Sequence, residues 1–164
     1  MSIKRVLFVC MGNICRSPAG EAVMKRFAEE FDIDVEIDSA GTHDYHIGKG
    51  ADPRMKAAAE ARGYELKSLA RQVTLEDLDD DNFDLVLAMD NANYESLIAL
   101  ADRPTTHIRV FSDYLDDTWP NDVPDPYYGD EEGFDDVLDM LEEGCPVILQ
   151  TLAGEEIFDM GFEE

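Results

Sequence analysis

Cys10 closes the apolar run Val6-Leu7-Phe8-Val9, and Arg16 follows after the five residues Met11-Gly12-Asn13-Ile14-Cys15. A thiol and a guanidinium on one short loop suit the chemistry of tetrahedral oxyanions. The ionised thiol is a nucleophile. Arginine offers a planar fork of donors that matches two oxygens of a phosphate, and lysine lacks that fork. Gly12 lets the backbone approach an anion and take angles that a Cβ forbids, while Asn13 is the next most suitable residue for a left-handed conformation. Ser17 suits a helix N-cap and Pro18 a first helical turn, so the loop is expected to end where a helix dipole begins. Loop amides, helix N-terminus and Arg16 would then all favour negative charge beside Cys10.

A cysteine at the end of a buried strand is usually just a small apolar residue. Here it arrives with a strand before it, Gly and Asn within the loop, and Ser-Pro opening a helix, and the combination argues for function. Beyond Pro18, the residues Ala19, Ala22, Val23 and Phe27 recur at helical spacing, which predicts a helix with one face on a sheet.

The rest of the chain alternates between the two periodicities. Strands are expected at 5–9, 35–38, 85–88 and 108–111, and helices at 18–31, 53–62, 91–101 and 133–143, with a short helix over 75–79. Tyr94, Leu97, Ile98 and Ala101 form the stripe of the third helix, with Asp90 as its cap. Gly144-Cys145-Pro146 either kinks the last helix or begins a new one. Such alternation predicts a single α/β domain, a parallel sheet covered by helices on both faces.

Length and composition agree with one domain. At 164 residues a chain buries roughly 70% of its unfolded surface without needing a linker. The apolar stretch after Lys4-Arg5 is too short for a signal peptide, and no segment approaches the ~20 apolar residues of a membrane helix. Cys10, Cys15 and Cys145 do not form a disulfide framework, which predicts a cytoplasmic setting. Cys145 continues the stripe Phe134, Val137, Leu138, Leu141 and reads as core. His43, His46 and His107 lack ligand spacing and read as surface or structural residues, so no metal and no cofactor is expected. The net charge of −25 argues against binding nucleic acid or acidic membranes through a broad surface.

The loop from Val9 to Pro18 resembles that of the low-molecular-weight protein tyrosine phosphatases. The similarity continues, in family order, through Asp38-Ser39-Ala40-Gly41-Thr42, Ala51-Asp52-Pro53-Arg54, Ala70-Arg71-Gln72, Phe83 to Asp90, and Asp122 to Gly129. It spans about residues 3–152, which suggests a phosphatase domain over 1–153 and an acidic tail over 154–164. The resemblance implies a four-stranded parallel sheet in the order 2-1-3-4, with Cys10 at its topological switch point. It implies that Cys10 attacks phosphorus, that Arg16 and the loop amides from Met11 to Ser17 hold the oxygens, and that Asp125, flanked by Pro124 and Pro126, is the general acid. Ser17 would stabilise the departing thiolate.

The same resemblance assigns Tyr45 and Tyr127 to a stacking wall for a phenyl ring, with Met11 and Ile47 adding apolar contact and Tyr128 divided between pocket and core. A slot of that depth would admit phosphotyrosine and leave phosphoserine short. Tyrosine-phosphorylated proteins are the implied partners of a mostly monomeric chain with weak self-association. Cys15 would trap oxidised Cys10 as a reversible disulfide. Ser68 stands where members commonly carry a histidine that braces the loop asparagine together with a serine. Ser39 and Asn13 are retained, so a weaker or water-mediated brace is expected. Gly50 replaces a common proline and leaves Tyr45 freer. Three rivals remain. An arsenate reductase needs more cysteines, an arginine phosphatase carries threonine at the position of Ile14, and an idle phosphate-binding or redox-sensing module would lack the nucleophile or the acid.

Overall fold

A strand buried on both faces shows a continuous apolar run rather than alternation, and β1 (Lys4–Cys10) is buried from Val6 onward. The computed structural model describes residues 3–101, 105–129 and 131–159, the side chains of 128 and 155–159 excepted. β1 lies between β2 (Val35–Gly41) and β3 (Leu85–Ala88), and β4 (Ile108–Val110) pairs outside β3. All pairs are parallel and the order is β2-β1-β3-β4, as the resemblance implies. Cys10 registers with Gly41, and Val9 with Ala88. Cys10 therefore stands at the carboxyl end of a central strand, where open sheets of this class bind ligands.

Successive residues of β1 point to opposite faces, and two cores result. Val6, Phe8 and Cys10 face one core with Met24 of α1 (Arg16–Phe31), Met55 of α2 (Pro53–Ala61) and the stripe of α4 (Glu131–Asp159). Leu7 and Val9 face the other, with Leu97 and Ala101 of α3 (Asn91–Ala101). Helices thus cover both faces. Asp90 caps α3, accepting from the Asn93 N–H at 2.7 Å, and Asp52 caps α2, accepting from the Arg54 N–H at 2.8 Å.

Several elements differ from expectation; β2 runs three residues past 38, to Gly41, and short 3-10 turns at Phe111–Tyr114 and Pro126–Tyr128 were not expected. The short helix near 75–79 is a single 3-10 turn, Glu76–Leu78. Helix α1 begins at Arg16, with Cys15 rather than Ser17 at its N-cap, because the Ser17 hydroxyl is engaged elsewhere. Helix α4 starts earlier than expected and runs unbroken through Pro146 and past residue 153. A proline inside a helix costs about 3 kcal/mol. Cys145, Ile148 and Leu149 are all fully buried around it, and burying Ile148 and Leu149 contributes about 1.5–3 kcal/mol each. The stripe therefore outweighs the lost hydrogen bond. Gly144 lets the helix pass against the ring of Phe111, where a Cβ would collide.

Candidate active site

The loop between β1 and α1 is held from outside by its own carbonyls. The Cys10 carbonyl accepts from Thr42 N–H at 2.9 Å, Met11 from His43 at 3.0 Å, Ile14 from Asp52 at 2.8 Å, and Cys15 from Ala19 at 3.2 Å. In a trans peptide the carbonyl and the following N–H point in opposite directions. The amides of Met11, Gly12, Cys15 and Arg16 are thereby turned away from these anchors. A ring of such donors at a helix N-terminus is an anion cradle.

Asn13 has φ of 58°, the left-handed conformation expected of it. Gly12 does not; its φ is not positive, and the reason for glycine is space, because a Cβ would lie 3.0 Å from His46 Cδ2. Gly41 beneath the loop is more constrained. A Cβ there would stand 2.8 Å from the Met11 carbonyl oxygen and 3.1 Å from the Asn13 nitrogen, so the loop rests directly on the end of β2.

Cys10 is 2% exposed. Ser17 approaches it twice, with the hydroxyl at 3.0 Å and the backbone N–H at 3.4 Å. Asn13 Nδ2 donates to the same hydroxyl at 2.8 Å, and Asn13 Oδ1 accepts from the Arg71 N–H at 3.0 Å. The brace expected to be weak or water-mediated is direct. It draws on a backbone amide of Arg71, whose side chain is tied to Asp77 at 2.8 Å and Asp38 at 3.0 Å. Ser39 is not part of it, since its hydroxyl donates to Glu21 at 2.8 Å.

Arg16 is 2% exposed. Its Nη1 donates to Asp90 Oδ2 at 2.6 Å and to the Val123 carbonyl at 3.0 Å, while Nη2 lies 3.6 Å from Asp125 Oδ2. Burial works to lower the Arg16 pKa, but its neighbours Cys10, Asp90 and Asp125 outweigh it and raise it. Asp90 thus does two jobs: one oxygen caps α3 and the other aims the guanidinium. Cys15 is buried, and burial first, then Asp52, Cys10 and Asp125, push its thiol well up. A protonated Cys15 adds no further negative charge to the pocket.

These parts open on a cavity of about 260 Å³, lined by Cys10, Met11, Gly12, Ile14, Cys15, Arg16, Tyr45, His46, Asp125 and Tyr127. Asn13 and Ser17 lie behind it, buried. Ile47 is 57% exposed and outside the lining, and the side chain of Tyr128 lies outside the described residues. His46, read from sequence as a surface or structural residue, is in the wall between Tyr45 and Tyr127, with ring centroids 6.4 and 6.3 Å away. Its place directly after Tyr45 was the one available signal. Tyr45 is 64% exposed and stacks on His43 at 5.0 Å.

A buried thiol, an arginine beside it and a carboxylate at the rim stand together on one cavity at the switch point of a parallel sheet. Residues 5–157 match the family model described as low molecular weight phosphotyrosine protein phosphatase, and the chain belongs to that family. A low molecular weight protein-tyrosine-phosphatase of Streptomyces coelicolor is 42% identical over 154 residues, covering 90% of this chain and 93% of that protein. The crystal structure of a protein tyrosine phosphatase from Entamoeba histolytica, with Hepes in its active site, superposes with a TM-score of 0.85 at 42% identity, covering 93% and 99% of the two chains. A Drosophila arginine phosphatase superposes with a TM-score of 0.82 at 30% identity, covering 90% and 96%. Among the described residues no helix is long and apolar enough to cross a membrane.

Proposed function

We propose that this chain hydrolyses phosphotyrosine in proteins through a phosphocysteine intermediate on Cys10. The observation that carries the reading is the convergence of Cys10, Arg16 and Asp125 on one cavity walled by Tyr45 and Tyr127. In the first step the Cys10 thiolate attacks phosphorus in line, the bond to the phenolic oxygen breaks, and Asp125 gives that oxygen a proton. Arg16 and the loop amides stabilise the equatorial oxygens as charge redistributes. In the second, water attacks the phosphocysteine, Asp125 takes its proton, and the thiolate leaves toward the Ser17 hydroxyl and N–H. Asp125→Asn is expected to slow turnover of substrates with poor leaving groups by roughly 10²–10⁴-fold. An unchanged rate would remove Asp125 from the mechanism.

Phosphotyrosine is favoured over phosphoarginine by the aromatic walls and by Ile14, an apolar residue in the lining. The likeness to the Drosophila arginine phosphatase makes the comparison worth measuring: phosphotyrosine peptides should react faster than matched phosphoarginine peptides, and the reverse order would reassign the substrate.

Redox protection of the nucleophile belongs to the same reading. Peroxide oxidises Cys10 to a sulfenic acid, and the Cys15 thiol condenses with it to give a disulfide and water. Cys15→Ser should convert thiol-reversible inactivation by peroxide into lasting inactivation, and equal recovery of variant and parent would remove this role. The acidic surface predicts a further effect. Long-range repulsion of an anionic substrate is screened before contacts inside the pocket are, so kcat/KM should rise with moderate salt; a flat or falling profile would count against it.

A further inference from the structure

One side chain beside the cavity is bound into the site from three directions and takes no part in the steps above. Arg54, in the first turn of α2, donates to Asp52 through Nε at 3.1 Å and Nη2 at 2.9 Å. Its guanidinium lies over the Tyr127 ring at 5.3 Å and over the Phe134 ring of α4 at 4.9 Å. Asp52 is itself fixed, 7% exposed, capping α2 with its side chain and donating its N–H to the Ile14 carbonyl of the anion loop at 2.8 Å. The Arg54 side chain, which draws Asp52 below the usual carboxylate range, therefore connects the loop under the substrate to the aromatic wall above it.

Tyr127 carries the connection to the acid. Its ring lines the cavity, and its backbone N–H donates to Asp125 Oδ1 at 3.1 Å. The Pro126–Tyr128 turn is short, and Asp125 is its N-cap. Displacing the Tyr127 ring therefore moves the peptide that orients the Asp125 carboxylate.

We propose that Arg54 is a positioning residue for the general acid: clamped by Asp52, it seats the Tyr127 ring and, through the Tyr127 N–H, aims Asp125 at the leaving oxygen. The proposal rests on the phosphatase reading and deepens it. Asp52 and Phe134 are the fixed walls, and Tyr127 is the part held against them. An arginine suits this position because its planar cation stacks on rings while its edge still binds a carboxylate. Lysine would keep the charge and lose the double engagement.

The test is the dependence of kcat/KM on leaving group, measured with a series of aryl phosphates from nitrophenyl to unsubstituted phenyl. Activated phenolates leave without a proton, whereas poor ones need the acid. Arg54→Ala should lose about tenfold with phenyl phosphate and less than about twofold with p-nitrophenyl phosphate, a fraction of what loss of the acid itself removes. Competitive inhibition by inorganic phosphate should be unchanged, since the loop is anchored by the backbone N–H groups of Thr42, His43 and Asp52, which the replacement leaves in place. In an Asp125→Asn background the same replacement should have little further effect, because both changes act on one group. Asp52→Asn, which keeps a good helix cap but weakens the clamp, should show the same selective loss in smaller measure and guards against misfolding of the alanine variant. Equal losses across the series, a parallel loss of phosphate affinity, or full additivity with Asp125→Asn would overturn the proposal. A parent enzyme without aryl phosphatase activity would instead overturn the reading beneath it.

Discussion

Cys10→Ser is expected to abolish turnover of aryl phosphates, by on the order of 10⁴-fold or more, while leaving the protein folded and able to bind phosphate. The size of the effect follows from what surrounds the sulfur. The Ser17 hydroxyl at 3.0 Å and the Ser17 N–H at 3.4 Å are polar neighbours suited to a thiolate nucleophile. Neither offers a base to take a proton from a serine hydroxyl, so a serine in this place would stay neutral. The substitution is otherwise gentle, since it exchanges one small buried side chain for another and leaves the carbonyl anchors of the loop untouched. Steady-state kinetics would be compared with phosphate binding by calorimetry. Residual turnover within about tenfold of the parent would exclude Cys10 as the nucleophile.

Arg16→Lys should reduce kcat/KM by roughly 10³–10⁵-fold, the range seen for arginine donors at a transferring phosphoryl group. Charge is conserved, so the loss reports geometry. Nη1 is committed to Asp90 at 2.6 Å and to the Val123 carbonyl at 3.0 Å, and this pairing points the remaining edge into the cavity. A single ammonium cannot satisfy Asp90 and also present two parallel donors to phosphate. Phosphate binding should weaken along with catalysis, unlike the Cys10→Ser outcome. A lysine variant with activity near that of the parent would show that charge alone suffices.

The strand before Cys10, the left-handed Asn13, the cap at Asp90 and the stripes of the helices were legible because each is written within a few neighbouring residues. Periodicity and capping are local physics. What escaped was assembled across the sheet. Asp90 meets Arg16 although 74 positions separate them, and the pairing follows only once β3 lies beside β1. The brace of Asn13 by the Arg71 amide depends on the segment near Gln72 docking against Gly41, which no pattern in that segment announces. Ser17 reads as a cap from its neighbours; its place beside the sulfur of Cys10 came from the family resemblance and not from any local pattern. Pro146 reads as a kink or as the start of a new helix, and only the depth of burial around it explains why the helix continues.

The outward anchoring of the anion loop has a kinetic consequence. Its carbonyls are fastened to Thr42, His43 and Asp52 by the fold itself, so the dipoles on which the proposed mechanism relies are oriented during folding and need not swing at the barrier. The loop amides should accordingly exchange with deuterated water only through openings that also release the carboxyl end of β2. Catalytic competence and the integrity of that strand end would then be lost in a single event.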